Sequence, residues 1–181
     1  MLHFSRFYDH AVPEIAIDGV VPWIVKFDES DGSGFMWRTG DLDNTHLELN
    51  FLHNGGLRYM ALVSFKEEVT HIESPMPRRL DGTRCVQPAA PTEMWNDLDE
   101  SRVFPLLIED VPSALALQCY SDGVRLELGG DGRNSPIWVS SGRVSFGLDS
   151  QMRLAAIEIA DIDAGTMALM KAGPSSQARH R

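Results

Sequence analysis

What most constrains this chain is a two-residue alternation of apolar and polar side chains, repeated between short runs of turn-forming residues. Successive side chains of a strand point to opposite faces, so the pattern suits strands with one face buried. Residues 45–53 carry it most clearly. Leu47, Leu49, Phe51 and His53 fall on one face, and His46, Glu48 and Asn50 on the other. Asn54-Gly55-Gly56 follows, and these residues tolerate the positive φ of a tight turn. Residues 57–65 then return, with Leu57, Tyr59, Ala61, Val63 and Phe65 on one face and Arg58, Met60, Leu62 and Ser64 on the other. Together they predict a β-hairpin.

The same grammar marks strands at 20–27, 35–38, 104–108, 114–120, 124–128, 137–139, 144–148 and 153–162, with a hairpin turn at Ser121-Asp122-Gly123. Helical spacing is confined to 92–102, where Thr92 is placed to cap a short helix bearing Met94, Trp95 and Leu98. Between 74 and 91, Pro75, Pro77, Pro88 and Pro91 accompany Arg78, Arg79 and Arg84. Proline removes backbone donors, so this stretch is expected to be a connection. The fold expected is all-β and mainly antiparallel, a sandwich or partly open barrel with at most one or two short helices. One domain spans 1–170, and 171–181, without apolar periodicity, is expected to be a disordered tail.

A shift of 95 positions aligns two stretches without gaps. Residues 49–54 fall on 144–149 and 57–62 on 152–157, with Phe51 on Phe146, Arg58 on Arg153 and Ala61 on Ala156. The segment around Trp37 loosely echoes that around Trp138. This suggests two similar β-units, 1–73 and 104–165, joined by 74–103. The later copy, Val144-x-Phe146-x-Leu148-Asp149-x-x-x-Arg153-Leu154-x-x-Ile157-Glu158-Ile159, resembles the closing hairpin of several small bacterial domains of unknown function. Those families often have Gly just before the Ile-Glu, where this chain has Ala156. The resemblance implies a bacterial β-rich domain and carries no catalytic residue.

Charge narrows the partners. The net charge is −10, and the last eleven residues hold Lys171, Arg179 and Arg181 without an acid, so the remainder is more acidic still. Nucleic-acid binding needs a basic footprint, so neither nucleic acid nor an anionic membrane is an expected partner, whereas a basic protein is. No apolar run reaches the ~20 residues of a membrane span. The first residues contain no apolar core of a signal peptide, and Cys85 and Cys119 are expected as free thiols, both consistent with the cytoplasm.

Catalytic motifs are absent from the sequence. His46 and Glu48, at i and i+2, present two metal-ligand types on one strand face, but no third ligand stands in register, so no metal site and no cofactor is expected. Asp41-Leu42-Asp43-Asn44-Thr45 begins like a calcium loop, yet His46 stands where glycine is required and Leu52 where glutamate is. Residues 129–133 are glycine-rich, but no helix follows to form a phosphate cradle. Trp37 and Trp138 are candidate aromatic anchors beside His46 and Glu48, and no residue is identified as catalytic. The expectation is a non-enzymatic acidic binding protein, such as a bacterial immunity-type protein that sequesters a basic partner. The alternatives are a small-molecule-binding β-barrel or enzyme with a pocket near His46 and Glu48, and an accessory subunit of a larger assembly.

Overall fold

A computed structural model describes residues 1–17, 21–29, 34–77, 85–95, 107–129 and 137–172. The first sheet is built from β2 (Glu14–Ala16), β3 (Trp23–Lys26), β4 (Phe35–Gly40), β5 (Thr45–Phe51), β6 (Leu57–Phe65) and β9 (Leu107–Pro112), in the order β2-β3-β6-β5-β4-β9. The second contains β7 (Thr70–His71), β10 (Leu115–Cys119), β11 (Val124–Leu128), β12 (Ile137–Ser141), β13 (Val144–Leu148) and β14 (Leu154–Ile159), in the order β12-β13-β14-β11-β10-β7. A two-stranded ribbon pairs β1 (Arg6–Asp9) with β8 (Val86–Ala89). The expected all-β architecture is thus a sandwich and not a closed barrel. Its inner faces share one core, in which Trp23, Val25, Leu47, Leu49 and Met60 of the first sheet meet Leu117, Leu126, Phe146 and Ile157 of the second. The Phe27 and Phe146 rings touch across it at 6.1 Å.

Each sheet contains five antiparallel strands with the same connectivity. β2, β3, β4, β5 and β6 occupy the places that β10, β11, β12, β13 and β14 occupy in the second sheet. The closing hairpins match bond for bond. Leu52 N–H donates to Gly56 O and Gly55 N–H to Leu52 O; Asp149 N–H donates to Arg153 O and Met152 N–H to Asp149 O. Gly55 and Met152 both take positive φ, 87° and 60°. Each hairpin also bulges at the same point, between Asn50 and Phe51 in one and between Gly147 and Leu148 in the other. This places Phe51 on Leu148 and Leu57 on Leu154, two positions beyond the gapless alignment of the sequences. Under that correspondence Trp37 matches Val139, and Trp138 matches Met36. The segments between the five-stranded sets cross over: β7 pairs in parallel with β10, and β9 in parallel with β4.

The ribbon ties both closing hairpins together. Ala90 N–H donates to Gly55 O, and Phe4 N–H donates to Met152 O, the equivalent carbonyl. Isolated bridges join Gly56 to Ala89 and His3 to Arg153. Leu2 and Phe4 are consequently fully buried. β8 lies inside the proline-rich stretch expected to be a connection. His10 N–H bonds Cys85 O, so bonded pairs fall at Tyr8–Gln87 and Arg6–Ala89, and Pro88 sits where the ladder needs no donor from it.

The helical expectations shift as well. Among the described residues, a 3₁₀ turn spans Thr92–Trp95, and 96–102 lie outside them. The α-helix is α1, Ala164–Ala172, capped by Asp163, whose Oδ1 accepts from Thr166 N–H and whose Oδ2 accepts from Thr166 Oγ1. Ile162 and Met167 anchor it to the core. Lys171 and Ala172 therefore belong to a helix and not to the expected tail; 173–181 lie outside the described residues, as does most of the glycine-rich loop. No helix among the described residues is long and apolar enough to cross a membrane. Cys85 and Cys119 are free thiols.

Candidate functional site

The bulge at Arg58 decides what the first sheet shows to solvent. A one-residue insertion reverses the facing of everything beyond it. Leu57 points into the core, but past the bulge it is Met60 and Leu62 that are fully buried. Tyr59, Ala61 and Val63 therefore leave the core face on which alternation alone placed them. They turn outward, and Glu48 stands opposite Ala61, with Ala61 opposite Ile24. On the outer face the register reads Asp110–Arg38–Glu48–Ala61–Ile24 across five strands, with Asn50–Tyr59–Lys26 one step along.

Ala61 is small, and the strands beside it carry larger side chains, so the outer face is hollowed into an open groove of about 550 Å³. Val21, Ile24, Ala61 and Val63 give it an apolar floor, and Tyr59 and Glu48 stand in its wall. At the end beyond Tyr59 lie Lys26, Arg58, Asp28 and Glu29, two cations and two carboxylates. Burial pushes the Tyr59 phenol above its usual pKa, and the negative charge of Glu48 adds to the shift. The expected pocket near His46 and Glu48 thus coincides with the groove through Glu48, whereas His46 flanks it.

The charges beside the groove are unequally matched. Arg38 forks onto Asp110, Nε to Oδ1 at 2.6 Å and Nη2 to Oδ2 at 2.8 Å. That pair of hydrogen bonds raises the arginine's pKa and holds the Asp110 carboxyl below its usual range. His46 Nε2 approaches Glu48 Oε1 to 3.0 Å, with both side chains mostly buried, but the nitrogen is off the hydrogen-bond line and has no partner. Asn50, next along the face and 1% exposed, has neither amide atom bonded.

The four candidate residues read from sequence do not converge. His46 and Glu48 share the outer face. Trp37 lies on the opposite face of the same sheet, 2% exposed, where it lines a separate recess of about 280 Å³ with Thr39, Val111 and Leu128. Trp138 belongs to the outer face of the second sheet. There its ring lies 5.8 Å from the Arg125 guanidinium, which also faces Tyr120 at 5.8 Å and bonds Glu158 Oε1 through Nε at 2.7 Å. Gly147 and Ala156, beside Trp138 in register, leave room for the indole to reach that far.

Among the described residues no group of three His, Cys, Asp or Glu side chains is placed to hold a metal ion. The loop that begins like a calcium site is occupied by its own backbone: Asp41 Oδ1 accepts from the N–H groups of Asp43, Asn44 and Thr45. The bonds from Thr45 and Asn44 hold its carboxyl far below the usual pKa. Ile24, Tyr59, Ala61 and Val63 escaped the sequence reading, because only the bulge reveals that they share a face with Glu48. Compared with protein-family models and with curated proteins, the sequence matches none.

Proposed function

We propose that this chain is a non-enzymatic acidic binding protein that receives a basic protein partner on the outer face of its first sheet. The observation that carries this reading is the groove: an apolar floor bordered by Glu48, Asp28 and Glu29, in a chain of net charge −10. An apolar floor supplies contact area, and an acidic field steers a cationic partner and raises its association rate. A bacterial immunity-type protein that sequesters a cationic toxin in the cytoplasm is the specific form of this proposal. The groove's volume also supports a second reading, a small-molecule ligand, since about 300–1,000 Å³ is usual for such sites.

A defined basic probe tests the first reading. Tetralysine, titrated into the ¹⁵N-labelled protein, is expected to shift the amides of Ile24, Glu48, Tyr59 and Ala61. The affinity should fall sharply between about 20 mM and about 300 mM salt, as screening predicts. Shifts scattered evenly over the acidic surface, or centred elsewhere, would overturn it.

A further inference from the structure

Glu48 differs from the other carboxylates that the fold holds against its surface. Asp110 receives two bonds from Arg38, Glu158 is met by Arg125, and Asp149 by Arg153 Nε at 2.6 Å and by two backbone N–H groups. Asp41 and Asp163 are satisfied by their own turns. Glu48 is only 20% exposed and lines the groove, yet among the described residues no hydrogen-bond donor reaches it. The nearest cationic group, His46 Nε2, stands 3.0 Å from Oε1 and off line. A carboxylate largely withdrawn from water and lacking a donor is costly unless something arrives to pair with it.

We infer that the groove takes a single lysine side chain of the basic partner, its methylenes lying on Ile24, Ala61 and Val63 and its ammonium bonded to Glu48. This inference rests on the binding reading proposed above. Three features of the groove select that occupant. Ala61 sits one strand from Glu48 and one from Ile24, so the trough between the two larger side chains spans about 10 Å between backbones, the width of one alkyl chain with its contacts. The floor is aliphatic, which suits the four-carbon stem of lysine. His46 crowds Oε1, which leaves Oε2 as the open acceptor. A point-like ammonium needs one oxygen, whereas a guanidinium fork needs both. Tyr59, in the same wall, offers an aromatic ring as a second partner for the charge. The resident cations Lys26 and Arg58 stand at the far end with Asp28 and Glu29, and so leave Glu48 as the unmatched charge.

The test titrates three capped tripeptides, Ala-Lys-Ala, Ala-Arg-Ala and Ala-norleucine-Ala, into the ¹⁵N-labelled full chain. The lysine peptide is expected to move the Ile24, Glu48, Ala61 and Val63 amides with saturable, millimolar affinity. The norleucine and arginine peptides should bind at least about fivefold more weakly, and Glu48→Gln should weaken the lysine peptide about tenfold. Glu127→Gln, on the outer face of the other sheet, serves as the control that leaves binding unchanged. Equal binding of the norleucine peptide, or an unaltered affinity in Glu48→Gln, would overturn the inference. If tetralysine still maps to the groove of Glu48→Gln with its wild-type affinity, the inference falls and the broader binding proposal stands. If tetralysine maps elsewhere on the wild-type protein, both fall.

Discussion

The two sheets use one scaffold to make opposite surfaces. At the centre of the second outer face stand Glu158 and Arg125; the equivalent places in the first are held by Ala61 and Ile24. Where the pair is charged, it closes on itself. Glu158 is 2% exposed, Arg125 covers it, and Tyr120 and Trp138 lie against the guanidinium. Ser140 and Ser145, beside it in register, bond each other at 2.9 Å. Where the pair is apolar and one member is small, the face stays open and a neighbouring glutamate lacks a donor. Strand order and register therefore do not determine which face offers a site; two side chains per sheet do.

That contrast predicts very unequal costs for removing two glutamates. Glu158→Ala leaves Arg125 buried without its carboxylate and is expected to destabilise by about 3–5 kcal/mol. Glu48→Ala removes a carboxylate that no donor holds and should change stability by no more than about 0.5 kcal/mol. Chemical denaturation of both variants measures the difference, and similar costs would break the comparison. The closing hairpins sharpen it at the next scale. A β-carbon on Gly55 would come within 2.4 Å of Ala90 O at a φ of +87°, so Gly55→Ala should cost more than about 1 kcal/mol. Met152 already carries a side chain at the matching place, and Met152→Ala should cost less than Gly55→Ala, as paired thermal melts would show.

A smaller, pH-dependent effect separates the same two loops. The second has Asp149 where the first has Leu52. Burial pushes the Asp149 carboxyl up, but the Arg153 backbone N–H and guanidinium outweigh it, and the net pKa is below the usual value. A carboxyl whose pKa is lowered by folding stabilises fully above its unfolded pKa of about 3.9 and loses that contribution as the pH falls through the folded value. Asp149→Asn should therefore lose on the order of 1 kcal/mol near neutrality and progressively less on acidification. A stability difference from wild type that stays constant between about pH 6 and about pH 3 would count against this role.

Much of the sandwich was legible because its long strands alternate. The 45–65 hairpin and the turn at Ser121-Asp122-Gly123 lie where the sequence puts them, with Tyr120 N–H bonded to Gly123 O. β1, β2, β7 and β8 were not legible: two to four residues are too few for alternation to register, and proline disguised β8. The site was half legible. His46 and Glu48 were recognisable as a polar strand face, but a bulge invisible in the sequence decides that Ala61 and Tyr59 face the same way. Trp37 and Trp138 looked equivalent in a gapless alignment. Once the register is known, one belongs to the core and the other to an arginine on the opposite side of the molecule.

The ribbon that ties the closing hairpins sets an order on folding. Ser5 donates its N–H to Ala89, 84 residues away, and Leu2 and Phe4 bond to the loop of the last hairpin. On a ribosome the first apolar residues therefore emerge long before any of their partners, and they cannot be buried natively until the strand at Leu154–Ile159 has been made. Both five-stranded sets can assemble their local hairpins earlier, at low entropic cost, while the ribbon waits for contacts of great sequence separation. In pulse-labelling hydrogen exchange during refolding, the amides of Phe4 and Ser5 should gain protection after those of Leu49 and Ile157. The first part of the chain to be synthesised is thus the last to be secured.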